Sequence, residues 1–377
     1  MRPRVDTAQE LTRFHYLARA VALACGGWIA GVPQLEDKAR LAEIAWQQTL
    51  AADAFRERVF ELRYPVRVLE EWADASFDAL IDSPDFLADL PLALAELTRR
   101  YEEFLATIDT LDDGPTERIV RLALSDTERT VMVSDTGSWP KGRVPFRLAE
   151  QPARDDRYAR HSFYWPDTIV PGYPYGEGVA LQIRSAVSHL NEVWAVETAG
   201  AILYALAPEL GWEWIRDAGR WTYDEARHML MGKRRLDTWG LAPDKTPLGG
   251  YIYEACAGED PLYRLGMLGY FETKNIGRKK ERAEAFHALG DSLSEIDMEF
   301  DWADETLHAE YGRRWLKELL RRRGEDPESW PQVLQRCEQL VADRVAEATD
   351  ADREAIVATA ETLLEAAETT VGRPASP

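Results

Sequence analysis

The sequence predicts an all-α protein whose centre is a four-helix bundle with a long connection between its second and third helices. Apolar residues recur at helical spacing over residues 7–110 and again from 178 onward, and strand-like alternation is hard to find. The motif D-E-x-x-H-x-x-x-G occurs twice, at 224–232 and at 304–312. A solitary glutamate within an apolar stripe precedes each copy, Glu197 before the first and Glu272 before the second.

The first 130 residues are predicted to form an N-terminal helical region. Asp6 and Thr7 can cap its first helix, which Gly26-Gly27 would end. Pro65 would end the second helix, because proline lacks the backbone donor and clashes with the preceding turn. The predicted helices span 7–25, 35–63, 66–81, 90–111 and 115–129.

Residues 131–177 are predicted to be an ordered connection between this region and the bundle. They are rich in proline and glycine, but they also carry aromatic residues, as in Trp139-Pro140 and Trp165-Pro166. Connections of this length are usually linkers or lids. Two interpretations stay open: a cover over one mouth of the site, or a surface wrap without a functional role.

Residues 178–322 are predicted to be the bundle. Its first helix runs to about Ala207 and carries Glu197 in a stripe of apolar side chains. An isolated charge is too costly to bury there, so this carboxylate must be paired, protonated or bound to metal. The third helix, at about 260–286, carries Glu272 in the same way, and the second and fourth helices each carry one copy of the motif.

The spacing of the acidic residues supports this arrangement. Glu197 and Glu225 are 28 positions apart, and Glu272 and Glu305 are 33 apart, which suits antiparallel neighbours at one level. The gap between Glu225 and Glu272 is longer, at 47 positions. A long crossover between the second and third helices is typical of a ferritin-like bundle.

The C-terminal residues, 323–377, are predicted to add helices outside the bundle. The last of them has a thin apolar stripe at Ile356, Leu363 and Leu364. We expect it to pack on the bundle or on a second subunit, which leaves a homodimer open. The predicted spans are 327–347 and 350–370.

Each copy of the motif places a carboxylate and an imidazole on one helix face, because residues three apart in a helix are neighbours. Two such helices and the two solitary glutamates would bring six ligands together inside the bundle. This ligand set is typical of a dinuclear iron or iron–manganese centre, in which positions remain open for O₂. The predicted ligands are Glu197, Glu225 and His228 at one metal and Glu272, Glu305 and His308 at the other, with one or two glutamates bridging.

Four further residues are predicted to support these ligands. Asp224 and Asp304 could each accept the free ring N–H of a ligating histidine and fix its tautomer. Arg227 could pair with such an aspartate. Asp301, one turn before Glu305, is a candidate ligand or proton relay, or it faces solvent. The other histidines are expected to be structural or exposed: His15, His161, His189 and His287.

Residues 190–316 resemble an uncharacterised family of ferritin-like bacterial proteins. The resemblance lies in Glu225-Ala226-Arg227-His228 with Arg235-Leu236 and Gly240, and in Asp304-Glu305 with His308, Gly312, Arg314 and Trp315. Glu192 and Glu197, five residues apart, also match that family's first helix. More distantly, the chain is similar to the di-iron transfer-RNA hydroxylase and the di-iron N-oxygenases. The N-oxygenases tend to carry a histidine where this chain has Asp301, which argues against N-oxygenation.

The leading hypothesis is an O₂-activating di-iron or iron–manganese oxidoreductase, a hydroxylase or oxidase of a small organic substrate. Its cofactors would be two iron ions, or iron and manganese, with O₂ as co-substrate. No glycine loop for a flavin or nicotinamide is visible, so we expect a separate electron donor or reductase. The alternatives are a ferroxidase-type metal-handling protein without an organic substrate, and an RNA-modifying hydroxylase. The aromatic residues near the ligands favour the first hypothesis: Trp194, Tyr204, Trp221 and Trp315.

The composition and charge disfavour several other classes of protein. The formal net charge of −21 argues against nucleic-acid binding, which needs a basic surface. The basic clusters 278–280 and 321–323 are interpreted as solvated helix ends. The three cysteines are far apart, which disfavours a disulfide framework or a cysteine zinc site. No membrane-spanning run and no apolar signal core are visible, so we expect a soluble, cytoplasmic protein.

Overall fold

A computed structural model describes residues 2–64, 73–130 and 142–371. Within these ranges the regular secondary structure is helical apart from two paired two-residue strands, which confirms the predicted all-α class. Predictions that fall on 65–72, 131–141 or 372–377, including the start of the helix at 66–81 and the motif at Trp139-Pro140, lie outside the described residues.

The N-terminal helices pack directly on the rest of the protein. The first two helices pair with each other, the first also contacts the helix that carries Glu197, and the second contacts the helix of the first motif copy. One hydrophobic core therefore includes residues from all parts of the described chain. The N-terminal helices are α1 (Arg4–Trp28), α2 (Leu35–Glu61), α3 (Ala75–Asp78), α4 (Phe86–Leu105) and α5 (Thr110–Thr130).

The central helices follow the predicted order, with one difference at the first of them. The predicted single helix up to Ala207 is broken at Asn191 and Glu192. The Asn191 side chain holds this break: it donates to the carbonyl oxygens of Val187 and Pro247 and accepts from the backbone N–H of Gly249. The helices are α6 (Val179–Leu190), α7 (Val193–Ala205), α8 (Ala207–Leu210), α9 (Trp212–Thr238), α10 (Tyr251–Glu254), α11 (Pro261–Leu289) and α12 (Ser292–Arg322).

The glycine that ends each motif copy lies where two helices approach closely. At Gly232, α9 packs on α6 so tightly that an added Cβ would collide with the backbone of Leu190. At Gly312, α12 packs on α11, and an added Cβ would lie 3.0 Å from the Cα of Gly269. Because each glycine follows its histidine by four residues, the close contacts lie one helical turn beyond the site.

The segments outside helices α6–α12 are held against them. Strand β1 (Ala159–Arg160) pairs in parallel with β2 (Pro247–Leu248), which joins the segment before α6 to the crossover before α11. Helix α13 (Trp330–Ala346) contacts α11, and α14 (Asp350–Thr370) contacts α6. None of the described helices has the length and apolar character needed to cross a membrane.

Candidate metal centre

Acidic and histidine side chains converge among the central helices from four places in the chain. The break between α6 and α7 supplies Glu192, α11 supplies Glu272, and α9 and α12 supply the two motif copies. Their ligand atoms form overlapping groups whose members lie within 4.8 Å of one another. The groups are His189-Glu192-Asp301, Glu192-Glu225-His228, Glu225-Glu272-His308 and His228-Asp301-Glu305.

Five of the six predicted ligands are brought together in these groups, but their distribution differs from the prediction. Glu305, expected beside Glu272 and His308, instead groups with His228 and Asp301. Glu225 is grouped with His228 in one set and with His308 in another, so it is the carboxylate best placed to bridge two metals. The five residues are Glu225, His228, Glu272, Glu305 and His308.

Glu197 is not part of the cluster, which corrects the sequence prediction. Its carboxylate is fully buried and pairs with Lys38 of α2 at 2.9 Å and with Arg154 of the connection before α6. Glu192 is the carboxylate that α6 and α7 bring to the site. Five helical residues correspond to a rotation of about 140°, so the two glutamates cannot face the same direction. Because the helix is broken at Asn191, Glu192 is the residue that faces the site. The prediction of Glu197 was wrong because it assumed an unbroken helix with one apolar stripe.

The two motif histidines are oriented crosswise by the aspartates of the opposite copy. His228 Nε2 lies 3.4 Å from Asp304 Oδ2, and His308 Nε2 lies 3.4 Å from Asp224 Oδ2. Arg227 Nη1 donates to both aspartates at 2.8 Å. These contacts leave the Nδ1 atom of each imidazole facing the carboxylates, which is the orientation that a metal ligand requires. The contacts of both aspartates and of Arg227 are those that the sequence predicted, and their role in orienting metal ligands stays a prediction.

The carboxylates facing each imidazole lie close to its Nδ1 atom. His308 Nδ1 is 3.2 Å from Glu225 Oε1 and 3.6 Å from Glu272 Oε1. His228 Nδ1 is 3.6 Å from oxygens of Glu192, Glu225 and Asp301. Burial alone would lower the pKa of both imidazoles, but these carboxylates, together with Asp304 beside His228 and Asp224 beside His308, outweigh it and raise each pKa well above its usual value. The cluster therefore attracts positive charge strongly.

Lys279 is a member of the site that the sequence analysis missed. Its ammonium is buried between α11 and α12 and donates to Asp301 Oδ2 and, at 2.6 Å, to Glu305 Oε1. The basic cluster at 278–280 is therefore not simply a solvated helix end. The available signal was its position seven residues after Glu272, which places both on one helix face.

His189 is the second missed residue. Its Nε2 lies 2.9 Å from Asp301 Oδ2, and its Nδ1 accepts from Arg235 at 2.6 Å. Burial lowers the pKa of His189 to about 3, so the ring is neutral. The signal was again helical spacing, because His189 precedes Glu192 by three residues.

Several buried atoms in the cluster make no hydrogen bond within the described ranges, although some of them lie close to an opposite charge. Unpaired buried donors and acceptors are costly, so their convergence needs an explanation. Burial raises the pKa of Glu192 to about 8 and that of Glu305 to about 7, since too little positive charge faces them. The donor set of carboxylate oxygens and imidazole nitrogens fits divalent metal ions. The unpartnered atoms are Glu192 Oε2, His228 Nδ1, Glu272 Oε2, Asp301 Oδ1, Glu305 Oε2 and His308 Nδ1.

The family comparison covers this whole region. Residues 136–357 match the family described as "Protein of unknown function (DUF455)". The chain belongs to the DUF455 family. No curated protein and no solved structure matches it. The DUF455 segment contains every residue of the cluster, together with Arg154, whereas Lys38 and the rest of α1 and α2 lie before it.

In this DUF455 protein a cavity of about 340 Å³ reaches the cluster. Four of the cluster glutamates line it, together with aromatic side chains and several basic residues. Such a volume is at the lower end of the range for small-molecule sites. The cluster glutamates in its wall are Glu192, Glu225, Glu272 and Glu305.

Proposed function

We propose that the protein is an O₂-dependent oxidoreductase with a dinuclear iron or iron–manganese centre in a ferritin-like bundle, acting on a small organic substrate. The observation that carries the proposal is the set of unpartnered carboxylate oxygens and imidazole nitrogens that converge beside the 340 Å³ cavity. The crossover after α9, which includes β2 and α10, supports the ferritin-like topology.

The residues divide naturally between two metal positions. Glu192, His228, Asp301 and Glu305 would hold one metal, Glu272 and His308 the other, and Glu225 would bridge them. The cluster contains five carboxylates, and one ammonium, that of Lys279, lies among them. Four negative charges remain, which two divalent cations would neutralise. This balance supports two metals better than one.

When bound, the metals would supply the activation of O₂ and the redox chemistry. The protein's own residues supply orientation and exclusion of water. Asp224 and Asp304 fix the two imidazoles, and Trp221 Nε1 donates to Glu225 Oε1 at 2.9 Å. The aromatic cavity walls would hold the substrate beside the centre. Electrons would come from a separate donor protein.

The cavity favours an enzyme with an organic substrate over a ferroxidase, because iron oxidation alone requires no aromatic pocket. An RNA-modifying role is disfavoured by the formal net charge of −21 and by the ion pairs that the basic cluster at 321–323 already makes. Arg321 and Arg322 both pair with Glu318, and Arg323 pairs with Glu209 and Asp260. Each of these arginines therefore already has a carboxylate partner.

Elemental analysis of protein produced with iron and manganese tests the metal centre. About two metals per chain are expected, and His308→Ala should lose them. His287→Ala is the matched control, because His287 is exposed, pairs with Glu295 and belongs to none of the ligand groups. A folded, metal-free wild-type protein that does not take up Fe(II) would overturn the proposal.

The reaction class is tested by stopped-flow oxidation of the reduced centre by O₂. An organic substrate should accelerate this oxidation when panels of small metabolites are added. Acceleration by none of them, with rapid turnover of added Fe(II) instead, would identify a ferroxidase.

A further inference from the structure

The outer end of the cavity is cationic, although the whole chain carries a formal charge of −21. Lys274, Arg278 and Arg282 line the cavity; Lys274 and Arg278 are exposed and Arg282 is half-buried, whereas Glu225, Glu272 and Glu305 at the inner end are buried. Among the residues that the structure describes, none of the three forms an ion pair; Lys274 donates only to the Tyr270 hydroxyl. We call these three residues and Arg184 the cationic mouth.

Helix α11 connects the cationic mouth to the metal centre. Arg278 and Arg282 are four residues apart and therefore neighbours on one helix face. They follow Glu272 by six and ten residues, which corresponds to about 9 and 15 Å along the helix. A molecule held at its outer end by these arginines would place its opposite end at the cluster.

Arg184 is the buried member of the cationic mouth, and one of its guanidinium nitrogens makes no hydrogen bond among the described residues. Its Nε and Nη2 donate to the two carboxylate oxygens of Asp167 at 3.0 and 3.1 Å. Its Nη1 is buried and has no hydrogen-bond partner within the described chain. The Tyr175 ring lies 5.1 Å from the Arg184 guanidinium and 5.3 Å from that of Arg282, so the two arginines flank one aromatic ring.

Aromatic and aliphatic side chains form one part of the cavity wall between the cationic mouth and the cluster, and Thr168, Ser185 and Ser188 also line it. Trp194 and Phe271 pack with their ring centroids 5.0 Å apart, and Tyr164, Tyr251 and Ile252 complete this part of the wall. These surfaces suit an apolar body of modest size, because the cavity holds only about 340 Å³.

We propose that the substrate is a small organic anion, with an apolar body in the cavity and a carboxylate or phosphate group bound by Arg184, Arg278 and Arg282. This inference rests on the proposed function and adds a substrate class to it. Guanidinium groups are well suited to carboxylate and phosphate, since they offer paired donors in a fixed plane. The end of the substrate opposite the anion is the end presented to the metals.

Calorimetric titration of the metal-loaded, full-length protein tests this, with phenylacetate and phenyl phosphate as probes and neutral phenylacetamide as reference. We expect one or both anions to bind at least about tenfold more tightly than the amide, and the stronger one identifies the anionic group. Arg278→Gln and Arg282→Gln should each reduce this preference about tenfold, with no effect on the amide.

Lys280→Gln is the matched control, because it removes one charge from the same helix at a residue that does not line the cavity. It should leave all three affinities unchanged. Equal binding of anions and amide, or an anion preference that survives the Arg278→Gln/Arg282→Gln double variant, would overturn the inference. The metal content of the same samples separates the two proposals. Protein that prefers the anions but binds no metal would contradict the proposed function alone. Protein that binds metal but does not prefer the anions would contradict the proposed substrate class alone.

Discussion

The two copies of the motif have the same surroundings on one side and different ones on the other. Toward each other, α9 and α12 are equivalent: each histidine is oriented by the opposite aspartate, at 3.4 Å in both cases. Toward their outer neighbours they differ. Helix α9 meets a broken element, α6 and α7, whereas α12 meets the continuous α11 with its buried Lys279. The repeated motif thus specifies one wall of the site, and the unrepeated helices determine the rest.

The glutamates of the two copies should contribute unequally to metal binding. Glu225 lies within two ligand groups, whereas Glu305 lies within one and also contacts Lys279. Glu225→Gln is therefore expected to abolish binding of nearly all metal, and Glu305→Gln to reduce it from about two ions to about one per chain. Elemental analysis of monodisperse protein measures both. Equal losses in the two variants would mean that the copies are functionally equivalent.

The two glutamates of the broken element should separate metal binding from stability. Glu197→Gln leaves Lys38 and Arg154 buried without their counter-charge, which should lower the free energy of unfolding by about 3 to 5 kcal/mol. Metal per folded chain should be unchanged. Glu192→Gln should lower the metal content and leave the free energy of unfolding nearly unchanged. The stability is retained because burial raises the pKa of Glu192 to about 8, so a neutral amide resembles the acid that is protonated at pH 7.

Urea denaturation of the metal-free variants, with elemental analysis of the loaded ones, makes this comparison. The assignment of Glu192 as the ligand fails if Glu197→Gln loses metal while remaining folded.

The glycines should differ as well, although both follow a histidine by four residues. An alanine at 232 would collide with the backbone of Leu190, two residues from Glu192, and should destabilise by about 1 to 3 kcal/mol and lower the metal content. At 312 the nearest atom is the Cα of Gly269, at 3.0 Å, and the higher helix propensity of alanine, about 1 kcal/mol, should offset the small adjustment. Thermal unfolding of Gly232→Ala and Gly312→Ala tests this. Similar losses at both positions would contradict it.

Features that repeat or follow helical periodicity were predictable from the sequence. The all-helical class, the crossover position, both motif copies, Glu272 and the pairing of aspartates with histidines all follow from spacing. Glu192 was not chosen because its position depends on the break at Asn191, whose side chain is held by Pro247 and Gly249 from the crossover. Lys279 was misplaced for a related reason: a lysine in a basic run is usually solvated, and only the fold supplies the carboxylates that allow its burial.

The aspartates provide the most sensitive comparison, because here the two copies should behave alike. Asp224→Asn and Asp304→Asn each remove the carboxylate that orients one imidazole, while Arg227 keeps its contact with the remaining aspartate. Loss of such an orienting group typically weakens metal binding by about 10- to 100-fold, so each variant should lose at least about tenfold in affinity for Fe(II) in an anaerobic titration. Asp301→Asn is not expected to give the same result, because Asp301 is itself one of the candidate metal ligands. If Asp224→Asn weakens binding and Asp304→Asn does not, the crosswise arrangement does not orient both histidines, and α9 alone sets the geometry of the centre.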